Sequence, residues 1–208
     1  NVNPGTMEVR PTDVEAPVIT VSAPVADQYL RSELLPVNVN AIDADSGLFS
    51  LKTTFDSAST TNTGTLDLFF YALGNHVLEA TATDNVQNQA TTSKVVTIIA
   101  NATSTRSDIH RAYSFSWMTK KIYDDLLKKF SDCFKKRNVM KSVTKTITST
   151  KNGKTITKTI TEKVNTVEIY FDKKAAQDML KALDKYRGKG LNERGYLLLK
   201  EDINWLIN

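Results

Sequence analysis

Leu35-Pro36-Val37-Asn38-Val39-Asn40-Ala41 sets apolar against polar residues in alternation. A period of two sends successive side chains to opposite faces of an extended chain, so this stretch predicts a strand with one buried face. Similar short runs lie on either side of it. Pro17 to Val21 precedes it, and Leu48 to Phe55, Thr65 to Tyr71, His76 to Thr83 and Lys94 to Ile99 follow. The segment Ser57 to Gly64, rich in Ser, Thr and Asn, predicts a loop with room for one short strand. Nothing between these runs has a helical period. Short strands at this spacing, separated by turn residues, predict an Ig-like or fibronectin-like β-sandwich over residues 15–100.

Two stretches carry a resemblance. Ala41-Ile42-Asp43-Ala44-Asp45-Ser46-Gly47-Leu48 and Leu73-Gly74-Asn75-His76-Val77-Leu78-Glu79-Ala80-Thr81-Ala82-Thr83-Asp84-Asn85-Val86-Gln87-Asn88 are similar to the A-x-D-x-x-SG and LGxHxLxAxAxDxxGN stretches of bacterial Ig-like domains. The resemblance spans residues 16–100 and places Val37, Val39, Leu78, Ala80 and Ala82 inward. Gln87 stands where that family has Gly, which implies strain there if the turn needs a positive φ.

The two halves differ in charge. Residues 1–100 hold 4 basic and 11 acidic side chains, and residues 101–208 hold 23 basic and 12 acidic, giving net charges of −7 and +11. The split points to cations as partners of the first half and anionic polymers or surfaces as partners of the second. The bland alternative is that the lysines only solubilise exposed helices. One cysteine, Cys133, rules out an internal disulfide framework and a multi-cysteine zinc site. No run is apolar and long enough to predict a transmembrane segment. Asn1 to Gly5 has neither a basic start nor an apolar signal core, so a part of a longer protein is expected.

In a sandwich of this kind the start of the first strand and two loops share one pole, which draws Asp13, Asp43, Asp45 and Asp84 together. Clustered carboxylates repel, and a hard cation bound by six to eight oxygens relieves them, so calcium is one reading. The other is that each Asp caps its own turn.

The basic half begins with a polar linker, 101–106. From Ile109 through Tyr113, Trp117, Ile122, Leu126, Leu127, Phe130 and Phe134, apolar residues recur at three- and four-residue spacing. That predicts an amphipathic helix or a broken pair, ending in Lys135-Lys136-Arg137. Cys133 falls beside the stripe as a buried structural thiol. Next, Val143 to Thr150 and Thr155 to Thr161 flank Lys151-Asn152-Gly153-Lys154. Asn-Gly between alternating β-branched runs predicts a tight hairpin at 142–164, with Thr150 opposite Thr155 and Ile147 opposite Lys158. One face then holds eight threonines, and the other mixes valine and isoleucine with Lys145, Lys151, Lys154 and Lys158. These lysines are the candidate binding residues for an anionic glycan or wall polymer. The threonines read equally as strand-formers on a projecting ribbon, whose apolar face needs packing because a bare hairpin is marginal. After it, Asp172 predicts the N-cap of a helix to Arg187, Gly188-Lys189-Gly190 its stop, and Asn192 the cap of a last helix.

Tyr113 to Thr119, Ile122-Tyr123, Leu126-Leu127, Ala175-Ala176, Leu180, Leu183 and Tyr196 to Ile207 resemble the FIMAH-type helical domain. That domain is appended to secreted and surface proteins of Gram-positive bacteria, and relative to it the hairpin is an insertion. The expected organisation is a linker (1–14), an Ig-like sandwich (15–100), a linker (101–106), and a mainly α-helical domain carrying a long hairpin (107–208).

No nucleophile elbow, phosphate loop, metalloprotease helix or dinucleotide fingerprint is present, and the pairs Asp124-Asp125 and Glu201-Asp202 are adjacent on helices, so they do not flank a cleft. The expectation is a non-catalytic accessory region of an extracellular or cell-surface protein, binding an anionic polysaccharide, a cell-wall polymer or a protein. The alternative is a spacer or stalk that positions an N-terminal catalytic or adhesive domain of an exoenzyme or surface-layer protein. Nucleic acid is not expected, because aromatics are not interleaved with the basic residues.

Overall fold

The computed structural model describes residues 13–151 and 154–208. Most of the stretch read as a leading linker, 1–14, lies outside the described residues, as do the Asn152-Gly153 pair and the side chains of Lys151 and Ile156. The chain divides into two compact units at Asp108 and Ile109.

The first unit is a sandwich of two sheets. Strands β1 (Val18–Ala23), β3 (Leu34–Ile42) and β6 (Thr63–Asp67) form a sheet in the order β1-β3-β6. Strands β2 (Gln28–Leu30), β4 (Leu48–Phe55), β5 (Ala58–Thr60), β7 (Gly74–Asp84) and β8 (Gln89–Ile99) form the other, in the order β2-β8-β7-β4-β5. Among the described residues β2 and β8 run parallel and the other strand pairs of this unit antiparallel. Along β3 exposed and buried residues alternate without a break, as the sequence predicts. Its Leu35, Val37 and Val39 meet Phe55, Leu78, Ala80, Val96 and Ile98 of the facing sheet in one core. Burial of each large member contributes about 1.5–3 kcal/mol.

Two local departures have physical causes. The strand expected to run to Tyr71 stops at Asp67, whose carboxylate accepts the Phe69 amide and caps a single 3-10 turn at Leu68–Phe70. The short strand β2 was not legible, because three residues are too few to show alternation. Gln87 takes a φ of 75°, in the left-handed region, so the condition for the expected strain is met.

Helices α1 (Ala102–Ser114), α2 (Lys120–Asp132), α3 (Lys173–Tyr186) and α4 (Glu193–Ile207) follow, with α1 beginning inside the segment read as a linker and running across the division at Asp108 and Ile109. Between α2 and α3 run β9 (Phe134–Lys151) and β10 (Lys154–Phe171). The expectation of a mainly helical domain is corrected here. The chain as a whole is mostly strand, 48% against 30% helix, and β9 and β10 each span 18 residues, well beyond 142–164. Lys135-Lys136-Arg137, read as a helix end, belongs to β9. The cause lies at the base of the ribbon. Helix α2 closes at Cys133, the Asp172 amide donates to the Cys133 carbonyl at 2.7 Å, Lys135 pairs with Asp172, and the Phe134 and Phe171 rings meet at 5.4 Å. A hairpin clamped at this point pairs along its whole length.

The caps fall where the sequence puts them. Asp172 accepts the Lys174 and Ala175 amides, Asn192 accepts the Gly195 amide, and Gly188 and Gly190 have φ of 69° and 104°. Helix α2 packs on α3, burying Ile122, Leu126 and Phe130 from one and Ala176, Met179 and Leu183 from the other. Cys133 is fully buried, its thiol donating to the Lys129 carbonyl, and burial pushes its pKa up to about 11. No helix among the described residues is long and apolar enough to cross a membrane.

Candidate functional site

The ribbon is sorted by its register. Thr150 pairs with Thr155 and Ile147 with Lys158, as the two-residue turn predicts, and pairing runs without a bulge to Phe134 and Phe171. Directly opposed residues share a face. One face therefore carries Thr144, Thr146, Thr148 and Thr150 against Thr161, Thr159, Thr157 and Thr155, all exposed. The other carries Arg137, Lys141, Lys145, Lys154 and Lys158, with Val143, Ile147 and Val164 among them.

Three of the four candidate lysines, Lys145, Lys154 and Lys158, are exposed on this face; Lys151 takes its place in β9. Glu168 sits 2.9 Å from Lys141 and 3.2 Å from Arg137, and their hydrogen bonds hold its carboxyl below the usual range. Glu162 lies 3.7 Å from Lys145. Lys154 and Lys158 form no ion pair among the described residues, so the ribbon's positive charge concentrates towards its tip.

At one pole of the sandwich, Asp13 precedes β1, Asp43 follows β3 and Asp84 ends β7, and each brings one carboxylate oxygen within 4.8 Å of the others. Asp45, the fourth candidate, is exposed and is not one of these three. Asp84 is fully buried, with Oδ1 accepting the Val86 and Asn88 amides at 2.9 and 2.8 Å and Oδ2 accepting the Asn88 side chain at 2.7 Å. Asp43 Oδ1 accepts the amides of Ser46 at 2.9 Å and Gly47 at 2.7 Å. Asp13 takes the Glu15 amide on one oxygen and the Ser46 amide on the other, and hydrogen bonds from Ser46 and Glu15 hold its carboxyl below the usual range.

Both sequence readings thus describe the same residues. Each Asp caps its own turn, and the three turns converge. The donors are hard oxygens, the kind calcium takes, but three carboxylates supply about half of a six-to-eight-oxygen shell.

Two features escaped the sequence. The Asn88 side chain ties the pole together, donating to Asp84 and to the carbonyls of Asp13 and Glu15. His76 lies buried against Phe55, with Nδ1 2.5 Å from Asp56 Oδ2 and Nε2 2.9 Å from the Ala72 carbonyl. Its partner Asp56 sits in a two-residue turn with Ser57, at φ of 49° and 66°. An Asp-Ser pair between β-branched and apolar runs is a weaker hairpin signal than Asn-Gly, so this latch was not read.

No family model matches the chain, and no curated protein matches it. Among solved structures it is similar to the fibronectin(III)-like modules of Clostridium thermocellum CbhA, at 19% identity and a TM-score of 0.31, over 40% of this chain and 45% of that one. The chain therefore spans under half the length of that relative. So slight a likeness says nothing of what the chain does; the Ig-like sandwich rests on its own strand order and core.

Proposed function

We propose that this chain is a non-catalytic accessory region of a larger secreted or cell-surface bacterial protein. In this reading the cationic face of the β9–β10 ribbon holds an anionic polysaccharide or cell-wall polymer. The observation that carries it is the sorting of charge by register: Lys145, Lys154 and Lys158 share one face of an extended ribbon, towards its tip. By strand geometry the successive cations stand about 7–14 Å apart along its axis. That is close to the screening length of about 8–10 Å in physiological salt, so they act on a linear polyanion as one line of charge. The resemblance of the helices to the FIMAH-type domain supports the extracellular setting. The aspartate pole would take calcium as a structural clamp rather than as a catalytic metal.

The test uses the whole chain with purified Gram-positive cell walls, at low and at high salt. Salt-sensitive co-sedimentation that is lost when Lys145, Lys151, Lys154 and Lys158 become Gln supports the reading. No co-sedimentation at low salt sinks it and leaves the spacer role.

A further inference from the structure

His76 is buried on β7, and side chains of several elements close around its ring. From β4 the Phe55 ring stacks on it at 5.5 Å, and Tyr71 meets it edge-on at 5.9 Å. On β8 its register partner is Val96, also buried. The turn between β4 and β5 sets Asp56 Oδ2 2.5 Å from Nδ1. The corner between the 3-10 turn and β7 sets the Ala72 carbonyl 2.9 Å from Nε2. Among the described residues these contacts bring one charged group, Asp56, and one further titratable group, Tyr71, against the ring. Burial and the Asp56 charge push the Tyr71 hydroxyl up, so it stays neutral.

Both polar neighbours only accept. A backbone carbonyl has no proton to give, and Asp56 also takes the Val77 amide on Oδ1 at 3.0 Å. Burial pushes the Asp56 carboxyl up, but the His76 and Val77 hydrogen bonds outweigh it and keep the group ionised. A neutral imidazole has one donor and one acceptor nitrogen; only the imidazolium donates from both. We infer that His76 is a proton-dependent latch. As imidazolium it ties the β4–β5 turn and the corner at 71–73 to β7, and loss of one proton frees the corner.

The Nδ1 proton faces a carboxylate, so the Nε2 proton is the one that leaves to water. Its lone pair then points at the Ala72 oxygen, and two acceptors face each other in a buried place. The direction with pH follows from the proton counts. Above about pH 6.5 an unfolded histidine is neutral. The latched fold then holds one proton more than the unfolded chain, so the hold on the corner weakens as pH rises. The inference stands whether or not the cationic face of the ribbon binds a polymer.

Nuclear magnetic resonance of the full chain, titrated across the range in which histidine changes charge, reads the ring nitrogens and amide exchange together. At the acid end both His76 nitrogens carry a proton. The reporter of the corner is the Tyr71 amide, which donates to the Leu68 carbonyl. As the ring titrates, this amide loses protection by roughly tenfold or more beyond the intrinsic rise in exchange, while β7 at Ala80 stays protected. Asp56→Asn separates the latch from an ordinary ion pair. The new NH2 donates to Nδ1 and the new carbonyl still accepts the Val77 amide, so a neutral ring donates from Nε2 to Ala72. Asn also tolerates the φ of 49° at this position. In that variant the corner stays protected at the alkaline end, where the native one loosens. A native ring with a single proton at the acid end overturns the inference, as does Tyr71 protection that ignores the titration of the ring. So does an Asp56→Asn corner no better protected at the alkaline end than the native one, which would mark an ordinary ion pair.

Discussion

Replacing Asp84 by Ala removes the acceptor on which one pole of the sandwich is built. Three N–H groups point at its carboxylate: the Val86 amide at 2.9 Å, the Asn88 amide at 2.8 Å and the Asn88 side chain at 2.7 Å. Each buried donor left without a partner costs about 1–3 kcal/mol. Val86 is 45% exposed, so its amide reaches water and is discounted. Two donors remain, and the expected loss is about 2–6 kcal/mol. Asp84→Asn keeps an acceptor for the two amides but turns an NH2 towards the Asn88 side chain, so it costs less, about 1–2 kcal/mol. Urea unfolding in EDTA reads both numbers, and hydrogen exchange on β7 and β8 assigns the loss to the sandwich. An Asp84→Ala chain within about 1 kcal/mol of the native one refutes the reasoning, since the three bonds would then be worth no more than their replacements by water. Repeating the titration with calcium tests the clamp. A ligand at a hundred times its dissociation constant adds about 2.7 kcal/mol, and that gain should vanish in the Asp84→Ala chain.

Acid destabilises the fold through its paired carboxylates. Lys135 and the Ala175 amide hold Asp172 low, Tyr196 and Lys200 hold Asp184 low, and at Asp56 the His76 and Val77 hydrogen bonds outweigh an upward push from burial. A folded value below the ordinary one of about 4 means that this stability is complete above about pH 4.5 and is lost as pH falls through the folded values, seen as a falling Tm between about pH 4.5 and 2. Gln87→Gly relieves a φ of 75° and should stabilise by about 0.5–1 kcal/mol, read as a raised urea midpoint; a lowered one would show that the side chain does more than strain its turn. Cys133, buried and pushed up to about 11, should resist alkylation in the native chain at pH 8 and react at once in urea.

The elements that were readable in advance share a local cause. Alternation along Leu35–Ala41 places Leu35, Val37 and Val39 inside wherever the strand lands, because the period of two belongs to extended backbone. The pairs Thr150–Thr155 and Ile147–Lys158 stand as the sequence predicts from a two-residue spacing between the two alternating runs. Asp172, Asn192 and the glycines after α3 act on amides and carbonyls a few residues away, and they too were legible.

What remained open depends on groups distant in the chain. The length of the ribbon is decided where Phe134 meets Phe171 and Lys135 meets Asp172, and a lysine-rich run such as Lys135-Lys136-Arg137 suits a helix end or a strand equally until that clamp forms. Strand order brings Asp13, Asp43 and Asp84 to one point, and Asp45, the fourth candidate, is exposed. Asn88 joins that pole through the backbone of Asp13 and Glu15, more than seventy positions earlier. Residue pattern sets backbone period, cap and turn, since these interactions span a few bonds; which side chains converge follows from closure of the sheets, where the free energy of burying both apolar faces selects one packing.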